Sequence, residues 1–219
     1  MSEIVLIRPG CTDFDEQSRI QGSIDLPLNP RGKQQVDHLV EELRSIQLDV
    51  IYSGSCEPAR STAEAIGEHL GIPVKEETGL CNLNQGLWQG LQVDDVRRKF
   101  PKVFKQLQES PETICPPEGE TLSEAVQRIR KTLRKPMKRN ARIGIVASEP
   151  LATLVRCVVF DHKPELPDSI CGTAEGGHIE VLTTNGSLSK NHQSAAAKDV
   201  PQQKQAAAAD LTARGDGSR

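Results

Sequence analysis

An apolar run, Ile4, Val5, Leu6 and Ile7, leads straight into Arg8, Gly10 and a polar loop that carries Cys11, Thr12, Asp15, Arg19, Gln21 and Gly22. A guanidinium is suited to anions, because its N–H fork matches carboxylate and phosphate oxygens. The carboxyl group of Asp15 can carry a proton, and the thiol of Cys11 can act as a nucleophile once ionised. A second such place follows the apolar run Arg142 to Ala147, where Ser148-Glu149-Pro150 puts another carboxylate at a strand end. In α/β proteins ligands bind at the carboxyl ends of strands, so both places are candidate site segments.

The elements needed to hold these segments are legible in the periodicity. Pro30 to Ile46 has Val36, Leu39, Val40, Leu43 and Ile46 at helical spacing, with Asn29 as N-cap and Pro30 in the first turn. Leu48 to Tyr52 reads as a short buried strand. Ser53-Gly54-Ser55 turns into a helix from about Cys56 to Leu70, stopped by Gly71. Ile72 to Val74 is a brief strand, and a Gly- and Asn-rich loop from Leu80 to Leu91 holds the one Trp. Val93 to Gln108 reads as helix, and Pro111 to Gly119 as a Pro-rich connection. A helix then runs to about Lys135, with Leu122, Ala125, Val126, Ile129 and Leu133 on one face. Leu151 to Phe160 is a largely apolar helix and His178 to Thr183 a last strand. Strands alternating with helices predict a three-layer α/β/α sandwich around a mostly parallel sheet, with the Val93 to Gln108 helix and neighbouring loops as a lid.

Composition narrows the partners. The 219 residues suffice for one sizeable core, expected over residues 1–185. Residues 186–219, rich in Ala, Gln, Lys and Ser without apolar period, read as a disordered tail, in which Arg214-Gly215-Asp216 is a chance occurrence. A net charge of -3 offers no footprint for nucleic acid or an anionic membrane. No apolar run reaches spanning length and no signal-like segment opens the chain, so a cytoplasmic location is expected. The glycine pattern of dinucleotide binding is absent after the first strand, and no cofactor is expected. The six cysteines include no Cys-x-x-Cys pair, and His38, His69, His162 and His178 show no ligand spacing, so no metal site is indicated.

The spacing of Arg8, Gly10, Thr12, Arg19 and Gly22, followed by Pro27-Leu28-Asn29 and Gly32, resembles the opening of the histidine phosphatase superfamily, the phosphoglycerate mutase-like proteins. The Gly86-Leu87-Trp88-Gln89-Gly90 loop and the Gly119-Glu120-Thr121 helix start resemble two further segments of that family, and the likeness covers roughly Ile4 to Leu182. The resemblance implies transfer of a phosphoryl group to a histidine, with two arginines and a second histidine holding its charge and an acid protonating the leaving oxygen. The family's nucleophilic His corresponds to Pro9, its second Arg to Pro58, its acid to Asn82 and its second His to Glu149. Pro150 stands for a Gly and Asp15 for an Asn. Arg8, Gly10, Thr12 and the Arg19-Ile20-Gln21-Gly22 turn remain.

Proline has neither a lone pair nor an amide N–H to offer a phosphate. Arg60, two residues beyond Pro58, would leave its helix about 200° away. The residues therefore argue against phosphatase or phosphoglycerate mutase activity. The leading expectation is a degenerate member that binds an unidentified small molecule or protein, with its oligomeric state open. The alternative is an enzyme of the family using another route, through Cys11 or Glu149. A third reading uses an outer face, where Arg97, Arg98, Lys99, Arg128, Arg130, Lys131, Arg134, Lys135, Lys138 and Arg139 form two basic stretches. Cys11, Cys56 and Cys81 fall in segments the resemblance puts around the pocket, which permits a redox or metal cluster, although free thiols are the simpler expectation. In the family the strand ends that correspond to Arg8 and Glu149 face one phosphate, so the resemblance implies that these two side chains pair through both prongs, with Asp15 joining from the loop.

Overall fold

The computed structural model describes residues 3–109, 115–138, 141–163 and 176–183. Its core is a five-stranded sheet of β1 (Glu3–Arg8), β2 (Val50–Ser53), β3 (Val74–Glu76), β4 (Arg142–Val146) and β5 (His178–Thr183) in the order β3-β2-β4-β1-β5. All neighbours are parallel except β5, which runs antiparallel along β1. Alternate residues of a strand face opposite sides, and the strands are apolar on both. Ile4, Leu6, Tyr52, Ile143 and Ile145 belong to one apolar layer, and Val5, Ile7, Ile51 and Val146 to the other. The α/β layering expected from the sequence is present.

Helices α2 (Pro30–Leu43) and α3 (Ala59–Leu70) cover the second face through Leu39, Val40, Leu43, Ala63 and Ile66. Helices α6 (Leu122–Leu133) and α7 (Leu151–Phe160) cover the first through Leu122, Ala125, Ile129, Leu133, Leu151, Leu154 and Val155. The ends follow local chemistry. Asn29 accepts the Gly32 N–H at 2.7 Å, Thr121 and Glu124 form a reciprocal box, and Gly71 closes α3 at φ 67°. The tail expected at 186–219 and residues 111–114 of the connection at Pro111 to Gly119 lie outside the described residues.

Several boundaries depart from the sequence reading, three of them with an evident local cause. The helix expected over Val93 to Gln108 is two, α4 (Val93–Lys99) and α5 (Pro101–Glu109), because Pro101 cannot continue a hydrogen-bonded ladder and drives Phe100 out of helical geometry. The helix expected from Cys56 begins at Ala59, since Glu57 precedes a proline. The third short strand is Val74–Glu76 instead of Ile72 to Val74, because the Ile72 N–H bonds Gly67 at the end of α3 and Pro73 has none to give. A four-residue helix, α1 (Asp13–Glu16), stands in the opening loop, where the sequence reading had none.

The opening loop is pressed against the start of α2. A Cβ on Gly10 would strike the Gly32 carbonyl, and one on Gly32 would strike the Cys11 backbone. Alanine is the better helix former by about 1 kcal/mol, yet crowding a filled site costs about 1–3 kcal/mol. Gly32→Ala is therefore expected to lower the free energy of unfolding, read as an earlier urea midpoint at unchanged slope.

Candidate functional site

Pairing of β1 with β4 sets Ile7 beside Val146, and pairing of β4 with β2 sets Val146 beside Ser53. The loops that follow these strands therefore open at one end of the sheet. Arg8 closes β1, and its Nη2 meets Oε1 of Glu149 from the loop after β4. The Glu149 side chain is 2% exposed and that of Arg8 21%. The other Glu149 oxygen accepts the backbone N–H of Thr153 at 3.2 Å, in the first turn of α7. The expected two-pronged pair is thus a single contact, because a helix amide claims the second oxygen. Helix starts favour negative charge, and here the anion is built into the chain.

Asn82 holds the same corner. Its Nδ2 donates to the Glu149 carbonyl at 3.0 Å, and its Oδ1 accepts from the amides of Leu83 at 2.9 Å and Leu151 at 3.3 Å. An ionised acid at this position could not donate and would add negative charge beside Glu149. Pro9, Pro58 and Pro150 are all buried, and the Pro9 carbonyl accepts the Gly177 N–H. Arg60 pairs with Glu57 at 2.7 Å, in keeping with its orientation in α3.

The remaining residues of the opening loop face other tasks. Arg19 donates to the Gly90 carbonyl at 2.6 Å, and amides of Ile20, Gly90 and Val93 bond across to Leu91, Ile20 and Ser18, so this turn docks the loop that contains buried Trp88. Gln21 donates to the carbonyls of Ile24 and Glu57. Gly22, at φ 58°, leaves room for Gln89, whose oxygen accepts the amide and hydroxyl of Ser23. Thr12 is fully buried, and its amide and hydroxyl bond Asp15 at 2.7 and 2.8 Å. Asp15 therefore turns back onto its own loop instead of joining Arg8 and Glu149. Gly10 donates to the Thr62 hydroxyl at 3.3 Å.

Cys11 is buried, its amide bonded to Gln35 and its sulfur close to Gly176, which suits packing. Cys56 and Cys81, in contrast, meet at 3.1 Å. His38, His69, His162 and His178 are exposed, and no group of three or more His, Cys, Asp or Glu fit for a metal occurs among the described residues. Within the basic stretches Arg97, Arg98, Arg128 and Arg130 pair with Asp94, Asp95, Glu120 and Asp161. None of the described helices is long and apolar enough to cross a membrane.

Burial pushes the Asp15 carboxyl above its ordinary value, against the pull of the Thr12 N–H and hydroxyl. An acid whose folded pKa is raised favours the folded state below the unfolded value, about 3.9, and loses that contribution as pH rises through the folded value. Asn cannot titrate and keeps an oxygen for Thr12. The stability of Asp15→Asn relative to the parent is therefore expected to increase from pH 4 towards neutrality. Denaturant titrations at three pH values measure it, and a difference independent of pH would refute the burial account.

Comparison with known proteins places this geometry in a wider set. The model of the histidine phosphatase superfamily (branch 1) matches residues 4–188. Phosphoserine phosphatase 1 of Hydrogenobacter thermophilus is 31% identical over 140 residues, 64% of this chain and 66% of that protein. The match thus spans slightly under two thirds of that relative. The uncharacterized phosphatase PhoE of Bacillus subtilis is 28% identical over 168 residues, 76% of this chain and 81% of its own. A mycobacterial glucosyl-3-phosphoglycerate phosphatase, solved in complex with VO3, superposes with a TM-score of 0.71 at 22% identity, covering 83% of this chain and 90% of that one. The central mixed sheet with helices on both faces matches the fold of that solved neighbour, and with the family model covering residues 4–188 the chain belongs to the histidine phosphatase superfamily.

Proposed function

We propose that this chain is a catalytically degenerate histidine phosphatase, a binding or regulatory protein instead of a phosphomonoesterase or mutase, with a cytoplasmic setting. The observation that carries the reading is the Arg8 to Glu149 contact: the cation left at the end of β1 is matched by a carboxylate of the chain itself. An incoming phosphate would meet that carboxylate. Between unit charges about 4 Å apart the interaction is about 4 kcal/mol at an effective dielectric near 20, so exchanging attraction for repulsion outweighs what Arg8 alone supplies. Pro9, Pro58 and Asn82, where the family resemblance puts the nucleophile, second arginine and acid, support the same reading.

The relatives are named as phosphatases, which makes the direct test an activity assay. Purified protein is expected to show no turnover of phosphomonoesters or phosphoglycerates above buffer, since losing groups that act as one unit commonly costs about a millionfold in rate. Turnover that survives repeated purification and disappears in Arg8→Ala would overturn the proposal.

The pair itself is open to a double-mutant cycle. Removing Arg8 alone, as Arg8→Met, leaves a buried carboxylate and is expected to cost about 3 kcal/mol, the low end for such pairs because Arg8 is partly exposed. Arg8→Met with Glu149→Leu is expected to cost much less than the sum of the single changes. Additive effects in urea unfolding would show that the contact contributes nothing to the fold.

A further inference from the structure

The loops after β2 and β3 bring together two thiols that lie 25 residues apart. Cys56 Sγ is 3.1 Å from Cys81 Sγ, and the Ser55 hydroxyl is 3.4 Å from the same Cys81 sulfur. The approach depends on Gly54, where a Cβ would lie 2.8 Å from both the Cα and the backbone N of Cys81, so only a glycine lets the 54–56 turn rest on this segment. Both thiols are partly exposed, Ser55 beside them is exposed, and neither thiol is engaged in a disulfide. Sulfurs at this separation need to close by about 1 Å to reach a disulfide bond length.

The two thiols are not equivalent. Burial, the hydrogen bond to Cys81 and the nearby charge of Asp25 push the Cys56 thiol up to about 11. At Cys81 burial acts in the same sense, but the Ser55 hydroxyl, the Cys56 thiol and the amide groups of Ser55 and Cys56 together hold it below its ordinary value. Donors that converge on one sulfur favour its thiolate, and the thiolate is the attacking form in thiol–disulfide exchange.

From the contact of Cys56 with Cys81, the residue before Asn82 of the Arg8–Glu149 corner, we propose that these two residues form a thiol–disulfide exchange site for small-molecule disulfides of the glutathione class. Cys81 attacks one sulfur of the disulfide RSSR, forming a mixed disulfide and releasing one thiolate. Cys56, losing its proton, then attacks the Cys81 sulfur, closes a Cys56–Cys81 bond and releases the second thiolate. Each leaving thiolate takes up one proton, so two cysteine thiols are oxidised while one RSSR is reduced to two RSH. The new bond ties the turn before α3 to the residue next to Asn82, which holds the Glu149 carbonyl. The site is independent of whether the neighbouring corner turns over phosphate.

The test uses the full chain, reduced, freed of reductant and then exposed to oxidised glutathione. Trypsin separates the two thiols into peptides Ser45–Arg60 and Glu76–Arg97, neither of which contains another cysteine. The expected product is these two peptides joined, two hydrogens lighter than their sum, and restored to the separate peptides by dithiothreitol. In Cys56→Ser the reaction stops at one glutathionyl group on Cys81, and in Cys81→Ser the Cys56 peptide stays unmodified. Cys115→Ser, which removes an exposed thiol elsewhere, leaves the linkage unchanged. Failure to join the two peptides, linkage of either to a different cysteine, or glutathione settling on Cys115 ahead of Cys81 would each overturn the proposal. Matching circular dichroism of the variants keeps a folding defect from passing as a result.

Discussion

The ion pair between Arg8 and Glu149 is the contact around which the loop end of the sheet is arranged. It exists because β1 and β4 are parallel neighbours, which makes an arginine at the end of one strand and a glutamate just beyond the other converge. A carboxylate that is 2% exposed has lost nearly all its hydration and needs replacement partners on both oxygens. Arg8 serves one and the Thr153 amide the other, while Asn82 fixes the Glu149 backbone. The first turn of α7 gains an anion at its positive end in the same arrangement.

Around that corner the residues that make the chain look like its family are mostly occupied with architecture. Gly10 and Gly32 permit two backbones to touch, Arg19 and Gln21 bond main-chain carbonyls, and Gly22 clears the way for Gln89. Such roles depend on the fold alone. They account for a family likeness that extends over most of the chain, and they separate it from any particular chemistry, which has to be argued from side chains that reach a ligand.

The same loop cluster shows two ways of handling titratable groups. Asp15 is half-buried and kept near its own loop by Thr12, so its charge is tolerated at a cost that burial sets. Cys81 lies among donors that lower its thiol, while Cys56 is pushed in the opposite direction by the same contact. Proximity therefore divides two chemically identical groups into one held below its ordinary value and one pushed above it. That asymmetry comes from partner geometry, since both are buried to a similar degree.

What the sequence determined by itself were the features governed by neighbours along the chain. The apolar runs specified β1 and β4, the 3.6-residue spacing specified α2 and α6, and Asn29, Thr121 and Gly71 marked helix ends, because capping and periodicity act within a few residues. The spacing from Arg8 to Gly32 was enough to point to the family, and it was that resemblance which led to the expected pairing of Arg8 with Glu149. The tertiary structure decided how each valence was used. Glu149 meets Arg8 through one oxygen while Thr153 takes the other, and Asp15 is held in its loop by the amide and hydroxyl of Thr12. Cys56 and Cys81 meet because β2 and β3 pair and Gly54 has no side chain, whereas Cys11, in the same opening loop as Arg8, packs elsewhere. Contacts between residues far apart in sequence depend on strand order and on the space left by every other side chain, and no local pattern carries that information.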